Sequence, residues 1–341
     1  MPVITDDTRS LAAVERIVAI TPIPDADSIE AATVRGWTVV VRKGEFEPGD
    51  TVIYFEVDTA LPLRDERYAF LAPRGTKEVD GADYHILKTA RLRGVYSQGL
   101  VLPVSQFSAE VGLSVPGTDV TTLLGLGKWE PPMPVGGGQQ AGPFLSGYAA
   151  KTDSERAQNL GSDWDELRQY GWEATEKVDG TSLTVVMDAD GALRVCGRNW
   201  EISDGDNTYW NAVRRTGLLD EHVLSPGEAL QGEIIGPGIQ GNPLRLADVT
   251  IVVFAYLRGR SAMPRNEWPQ WAINRAAPVY DLPFPDNPAA AVTQVEGLES
   301  RLAPGRLAEG VVWHTVEGRV VPSLGRSTFK AINNRYLLKS G

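Results

Sequence analysis

Residues 174–186, ATEKVDGTSLTVV, place one lysine, Lys177, inside what otherwise reads as two strands and a turn. Val178, Leu183, Val185 and Val186 are β-formers, and Asp179-Gly180 is a strong turn pair, so the stretch predicts a hairpin. Lys177 stands just before that turn, beside Glu176 and close to Asp179. A solvated turn lysine is the ordinary reading of a single K-x-D-G. Whether Lys177 is more than that depends on the rest of the chain.

The chain has 341 residues, a length that suggests two domains. It is 42% hydrophobic and 23% charged, which matches a soluble globular protein and not a fibrous or disordered one. Its single cysteine, Cys196, excludes a disulfide framework, and three histidines in all speak against a His-based metal centre or triad. The N-terminal MPVITDDTRS lacks a basic region followed by an apolar core, and no apolar run is long enough to span a bilayer. The expectation is a cytoplasmic protein with no membrane partner. A formal net charge of −11 argues against a sequence-blind nucleic-acid coat. It leaves room for a nucleic-acid enzyme with a local basic groove and metal assistance.

The Pro/Gly-rich stretch 127–144, GKWEPPMPVGGGQQAGPF, has no periodicity and reads as a linker. It divides the chain into a domain over 1–126 and another over 145–341. Strands dominate before it: WTVVVRK and DTVIYFEVD lie either side of the turn-rich GEFEPGD, and YHILKTARLRGVYSQGLVLPV supplies two more around Gly94. About five short strands in this length suggest a small barrel of the oligonucleotide-binding (OB) kind. Lys88, Arg91 and Arg93 form a basic cluster there. Arg91 and Arg93 are two apart and are expected on one face of a strand, against nucleic acid or simply solvated. After the linker, KTDSERAQNLGSDWDELRQYG reads helical, with Thr152 or Asp153 as N-cap. Strands then alternate with short helices, TYWNAVRRTGLLDEHV being one helix and AEGVVWHTVEGRVVPS a hairpin. The predicted class is α+β: an OB-like barrel followed by an antiparallel-sheet domain. No G-x-G-x-x-G follows a strand, so a dinucleotide site is not supported.

Lys177-Val-Asp-Gly180 is followed in order by Arg198-Asn199, Glu233, Phe254, Glu309-Gly310-Val-Val and Lys330. Each is weak alone, since a Phe in an apolar strand is usually core. As an ordered set they resemble the covalent nucleotidyltransferases, which include ATP-dependent DNA ligases, RNA ligases and mRNA capping enzymes. The segments KTDSERAQN (151–159) and QGEIIGPGIQGN (231–242) are similar to the RNA-ligase branch. IPDADSIEAATVRGW, KGEFEPGDTVIYFEVD and LKTARLRGVYSQGLVLP resemble OB-type tRNA-binding modules. An OB-like module placed before the catalytic domain resembles the Deinococcus/Naegleria-type nick-sealing RNA ligases. DNA ligases and capping enzymes carry theirs after it, whereas this chain ends about ten residues past Lys330.

The resemblance implies roles that suit the residue types. Lys177 would attack the α-phosphate of ATP, leaving AMP on its amine and releasing pyrophosphate. For that its pKa must fall well below its usual ~10.4, through desolvation and a nearby cation. Lys330 and Arg198 would stabilise phosphate charge, with Arg198 later gripping a 5′-phosphate. Arg156 would face the triphosphate, or be a surface helix charge. Asp179 and Glu309 are hard oxygen ligands suited to Mg²⁺ or Mn²⁺. Glu233 would accept from the ribose hydroxyls and Phe254 would stack on adenine. Glu176 would face the adenine amino group or stabilise the turn. The family's last motif often has two lysines one residue apart; here the first is Thr328, which puts the division of phosphate contacts in doubt, with Arg326 a substitute. Trp268 and Trp271 read as local packing, and His314 as a sheet residue without a catalytic role.

The expectation is therefore an ATP-dependent RNA ligase acting as a monomer on nicked duplexes with an RNA 3′-OH end, in RNA repair. Lys177 takes AMP, AMP passes to a 5′-phosphate, and a 3′-OH attacks to seal the strand. A DNA ligase, or an inactive OB-domain nucleic-acid-binding protein, are the competing readings, with a capping guanylyltransferase behind them.

Overall fold

A computed structural model describes residues 3–5, 9–112, 114–130, 136–219 and 223–340. The chain divides into two compact units, Met1–Met133 with Leu337–Gly341, and Pro134–Tyr336.

The first unit is built of short strands: β1 (Val3–Thr5), β2 (Ala12–Pro22), β3 (Ile29–Val34), β4 (Trp37–Arg42), β5 (Thr51–Phe55), β6 (Thr59–Pro62), β7 (Lys77–Val79), β8 (Ala82–Ile86), β9 (Ala90–Leu92), β10 (Val95–Ser97), β11 (Leu100–Pro103) and β12 (Gly127–Glu130), with one turn of helix, α1 (Ser108–Val111). Antiparallel sheets run in the orders β11-β5-β2-β3-β4 and β1-β12-β6-β8-β7, with β9 and β10 paired separately. Alternation builds them. In β4, Trp37, Val39 and Val41 are buried while Arg42 is exposed. The long β2 changes partner along its length, pairing with β5 over Ala12–Arg16 and with β3 over Ile17–Pro22. Its residues accordingly enter two cores, Ala12 and Val14 in one and Ile17 in the other.

Two expectations need correction in this unit. Gly127–Glu130 is not linker but strand β12, held by β1 and β6. Its order comes from partners distant in sequence, which local composition does not reveal. Residues 131–135 of the expected linker lie outside the described residues. Arg93 does not share a strand face with Arg91, because it sits past the end of β9 in a turn at φ 46°.

The second unit contains β13 (Gln140–Pro143), β14 (Glu155–Arg156), β15 (Trp172–Lys177), β16 (Thr181–Met187), β17 (Leu193–Cys196), β18 (Trp200–Ile202), β19 (Glu228–Ile235), β20 (Thr250–Arg258), β21 (Ser261–Ala262), β22 (Val279–Tyr280), β23 (Gly310–Thr315) and β24 (Thr328–Ile332). Helices α2 (Trp164–Leu167), α3 (Thr208–Arg215), α4 (Gln270–Ile273) and α5 (Pro288–Val295) are short, and α6 (Asn334–Ser340) follows β24. One sheet has the order β13-β18-β17-β16-β19-β20-β21 and the other β14-β24-β23-β15-β22. Leu183, Val185, Leu230 and Ile234 bury one face of the first sheet against Tyr209, Trp210 and Val213 of α3 and Trp271 of α4. Ala174, Val311, Trp313 and Phe329 bury one face of the second against Trp164, Leu167 and α5. The opposite face of the first sheet carries smaller apolar clusters, Val186, Cys196, Ala229 and Leu257 with Phe144, and Ile235 and Val252 with Val178.

The quoted stretch is not a hairpin. β15 joins the second sheet and β16 the first, so Val178-Asp179-Gly180 is a crossover between sheets. β15 finds its partners in β22 and β23, far along the chain. Gly180 allows the crossing to press against β19, because a Cβ there would collide with the Ile234 carbonyl. The helix expected from Lys151 is also absent. Glu155–Arg156 is a strand, parallel to β24, and the α-helix begins only at Trp164. Likewise β23 pairs with β24, and Val321 of the expected hairpin makes only an isolated bridge to Arg326. Among the described residues no helix is long and apolar enough to cross a membrane.

Candidate active site

Lys177 ends β15, and the strand alternation sends its side chain to the face opposite the aromatic core. Its Nζ donates to Glu309 Oε1 at 2.6 Å. Both side chains are largely enclosed, Lys177 at 24% and Glu309 at 16% exposure. Glu309 immediately precedes β23, whose first residue, Gly310, is aligned with Lys177 across the ladder. The backbone of Glu309 is fixed by the Asn333 N–H, which donates to its carbonyl at 2.8 Å. Asp179 stands just past Lys177 and accepts from the Tyr336 hydroxyl at 2.6 Å. Lys177, Asp179, Glu309 and Tyr336 line one small cleft with Glu176, Val178, Pro243 and Leu244.

The electrostatics follow from packing three carboxyls around one amine. Burial pulls the Lys177 ammonium toward neutrality, but Glu309, Glu233 and Asp179 together outweigh it and hold the pKa above its ordinary 10.5. The depression expected for Lys177 is therefore not a property of the unliganded site. Burial pushes Glu233 up to about 8, with the charges of Glu309 and Asp179 adding to it and Lys177 and Arg198 opposing. Asp179 is raised by burial and by Glu309, against the pull of the Tyr336 bond and Lys177. One oxygen each of Glu233 and Glu309 is buried without a hydrogen-bond partner. Among the described residues no three His, Cys, Asp or Glu side chains form a preassembled cage for a metal. Carboxylates with spare oxygens suit a cation such as Mg²⁺, which keeps part of its water and takes the rest of its shell from phosphate.

The other expected residues fall around this centre. Lys330 on β24 lies between Val312 of β23 and Arg156 of β14, in register with both. Arg156 is buried on β14 beside Lys330, so it is a strand residue and not a surface helix charge. Arg198 follows β17 and pairs with Asp153 at 2.8 Å, both side chains about two-fifths exposed. Gln231 donates to the Ala150 carbonyl at 2.8 Å and ties this segment to β19. Phe254 on β20 is half-buried against a cluster containing Val178, Leu244 and Val252. Thr328 shares a 2.7 Å hydroxyl contact with Ser154, and Arg326 donates to the Lys151 carbonyl at 3.4 Å. His314 is partly buried, and desolvation lowers its pKa to about 4, so it is neutral at pH 7.

Glu176 is placed differently. It lies one residue from Lys177, so its side chain takes the other face of β15 and is buried. Its oxygens accept from Ser300, the Arg301 N–H and Tyr280. Lys88, Arg91 and Arg93 belong to the first unit, where all three are exposed and Arg91 lies over the Tyr96 ring at 5.4 Å. Sequence reasoning missed Tyr336 and Asn333. The only signal was their place just after Lys330, in AINNRY.

Two sheets joined through a K-x-D-G crossover, with Glu233, Glu309 and Asp179 gathered around the lysine, have the layout of a nucleotidyltransferase domain. An RNA ligase family profile matches residues 171–332, and an OB-fold domain profile matches residues 11–104. Solved structures of Naegleria gruberi RNA ligase superpose along nearly the whole chain at 35% identity. A form with AMP and Mn gives a TM-score of 0.87, covering 97% of this chain and 99% of that one. A form with PPi gives 0.86 with the same coverage, and one with ATP and Mn gives 0.85, covering 96% and 98%. A comparison with curated protein sequences gave no significant match. The chain belongs to the RNA ligase family, with an N-terminal OB-fold domain.

Proposed function

We propose that the protein seals 3′-OH/5′-phosphate nicks whose 3′-OH strand is RNA, using ATP and a lysyl-AMP intermediate on Lys177. The observation that carries this is the Lys177–Glu309 contact at the crossover, with unpartnered carboxylate oxygens beside it. The Naegleria structures with ATP or AMP and Mn support the choice of nucleotide and ion. Asp179 and Glu309 fit a divalent cation, directly or through water. Mg²⁺ or Mn²⁺ there supplies positive charge beside the α-phosphate.

The residues then divide the work. Lys177 is stored as an ammonium, and its proton must leave before the amine attacks. Glu309 Oε1, already in contact with it, is the nearest acceptor. Any charge that neutralises the three carboxylates removes what holds the Lys177 pKa up, and burial then drives it down. Nζ attacks the α-phosphorus, the bond to the bridging oxygen breaks, and pyrophosphate leaves. Lys330 and Arg156, side by side on adjacent strands, bind the phosphate oxygens and spread the developing charge. Phe254 offers its ring to adenine and Glu233 takes the ribose hydroxyls. Arg198, at the exposed rim, meets the 5′-phosphate that accepts AMP.

The test is a pair of nicked duplexes differing only in the sugar at the 3′-OH end. Sealing is expected with ribose and at least about tenfold slower with deoxyribose. Equal rates would contradict the RNA-specific reading.

A further inference from the structure

Residues 298–308 run from the end of α5 to Glu309 and close on themselves. The Ala308 N–H donates to the Leu298 carbonyl at 2.9 Å and the Ser300 N–H to the Arg306 carbonyl at 2.8 Å. Fully buried Asn333 holds the closing end, donating to the Ala308 carbonyl at 3.1 Å. Within the loop, the Ser300 hydroxyl accepts from the N–H groups of Leu302 at 3.1 Å and Ala303 at 3.2 Å, and donates to Glu176 Oε1. Glu176 Oε2 accepts from the Arg301 N–H at 2.8 Å. The Tyr280 hydroxyl lies 3.1 Å from that oxygen and 2.8 Å from the Glu299 carbonyl. Glu176 and Ser300 are each only 3% exposed.

A buried carboxylate persists only where several donors meet it. Here every donor but Tyr280 comes from one turn, 300–301, and Tyr280 itself reaches Glu299. That turn carries Leu302 and Ala303, which pack into the same cluster as Phe254 and Val178. A continuous hydrogen-bond chain therefore runs from the residue beside Lys177, through Ser300, to the backbone of Leu302 and Ala303, which pack against the same cluster as Phe254.

We propose that Glu176 is a positioning residue for nucleotide binding: through Ser300 and Arg301 it fixes the 300–303 turn as a wall of the nucleobase pocket. It touches no part of the nucleotide. The inference rests on Phe254 being the nucleobase platform, as read above. It predicts that Ser300, itself buried, behaves as Glu176 does.

The experiment measures self-labelling of the full chain with ATP in single turnover, for wild type and for Glu176→Ala, Glu176→Gln, Ser300→Ala and the Glu176→Ala/Ser300→Ala pair. Thermal unfolding is recorded alongside. Glu176→Ala and Ser300→Ala are each expected to raise the ATP concentration for half-maximal labelling about tenfold, the worth of a charge-assisted bond. The rate at saturating ATP should stay within about twofold. The double variant should be no worse than the weaker single, and Glu176→Gln should recover most of the affinity. An effect of Glu176→Ala that Ser300→Ala lacks would place Glu176 on the nucleotide and overturn the proposal. So would a loss of saturating rate at unchanged half-saturation. If Glu176→Ala fails to fold, wild-type affinity in both Ser300→Ala and Glu176→Gln overturns it. A wild-type chain that takes no label would instead bring down the functional reading on which the proposal stands.

Discussion

Lys177 and Glu309 meet at 2.6 Å in a site where two more carboxyls compete for the same amine. The unliganded centre is thus overcharged with acid, and Glu233 shows it most, its carboxyl raised from an ordinary 4.5 to about 8. A carboxyl raised in the folded state binds its proton more tightly there than when unfolded. Its contribution to stability is present below pH 4.5 and is lost as pH rises through about 8. Glu233→Gln should remove that part of the slope. The variant's melting temperature should match wild type near pH ~4.5 and exceed it near pH ~8, whereas parallel curves would mean Glu233 is not strained. The type and order of Lys177, Glu233, Phe254, Glu309 and Lys330 were legible in the sequence through their resemblance to the RNA-ligase pattern. The raised Lys177 pKa was not, since it depends on carboxylates that only the fold brings together. Nor were the partners of Glu176, Ser300 and Arg301, which lie more than a hundred residues along the chain.

At the scale of elements, the crossover at Val178-Asp179-Gly180 passes from one sheet to the other and places Lys177 at the junction. K-x-D-G reads locally as a hairpin turn, and nothing within the stretch says that β15 pairs with β23 and not with β16. The same limit hid β14, a two-residue strand that exists only beside β24, behind cap residues that favour a helix. Strand identity in such short segments comes from the partner. Alternating runs such as WTVVVR needed no such help. Gly180 gives the crossover its testable weak point. Gly180→Ala would push a methyl into the Ile234 carbonyl and the Ile235 side chain. It should destabilise the protein by about 2 kcal/mol in denaturant unfolding and slow self-labelling. Gly147→Ala, where the added methyl meets nothing within 4 Å, is the matched control. Equal stability of the two variants would show that the close approach is not required.

On the scale of the whole molecule, a chain of net charge −11 must attract nucleic acid through local basic patches. Lys88, Arg91 and Arg93 form such an exposed group in the OB-fold unit. Replacing all three with alanine should weaken nicked-duplex binding and lower the slope of log K against log salt by about 2–3. An unchanged slope would remove them from the interface. Self-labelling with ATP should survive that change, because every residue assigned to it lies within Pro134–Tyr336. That reaction also gives the central claim its most direct measurement. The full chain is incubated with α-labelled ATP and Mn²⁺, and the adduct is mapped by peptide mass analysis. The account predicts covalent AMP on the peptide containing Lys177, and none on Lys177→Ala. No label on the wild-type chain, or label that persists in Lys177→Ala, would contradict it.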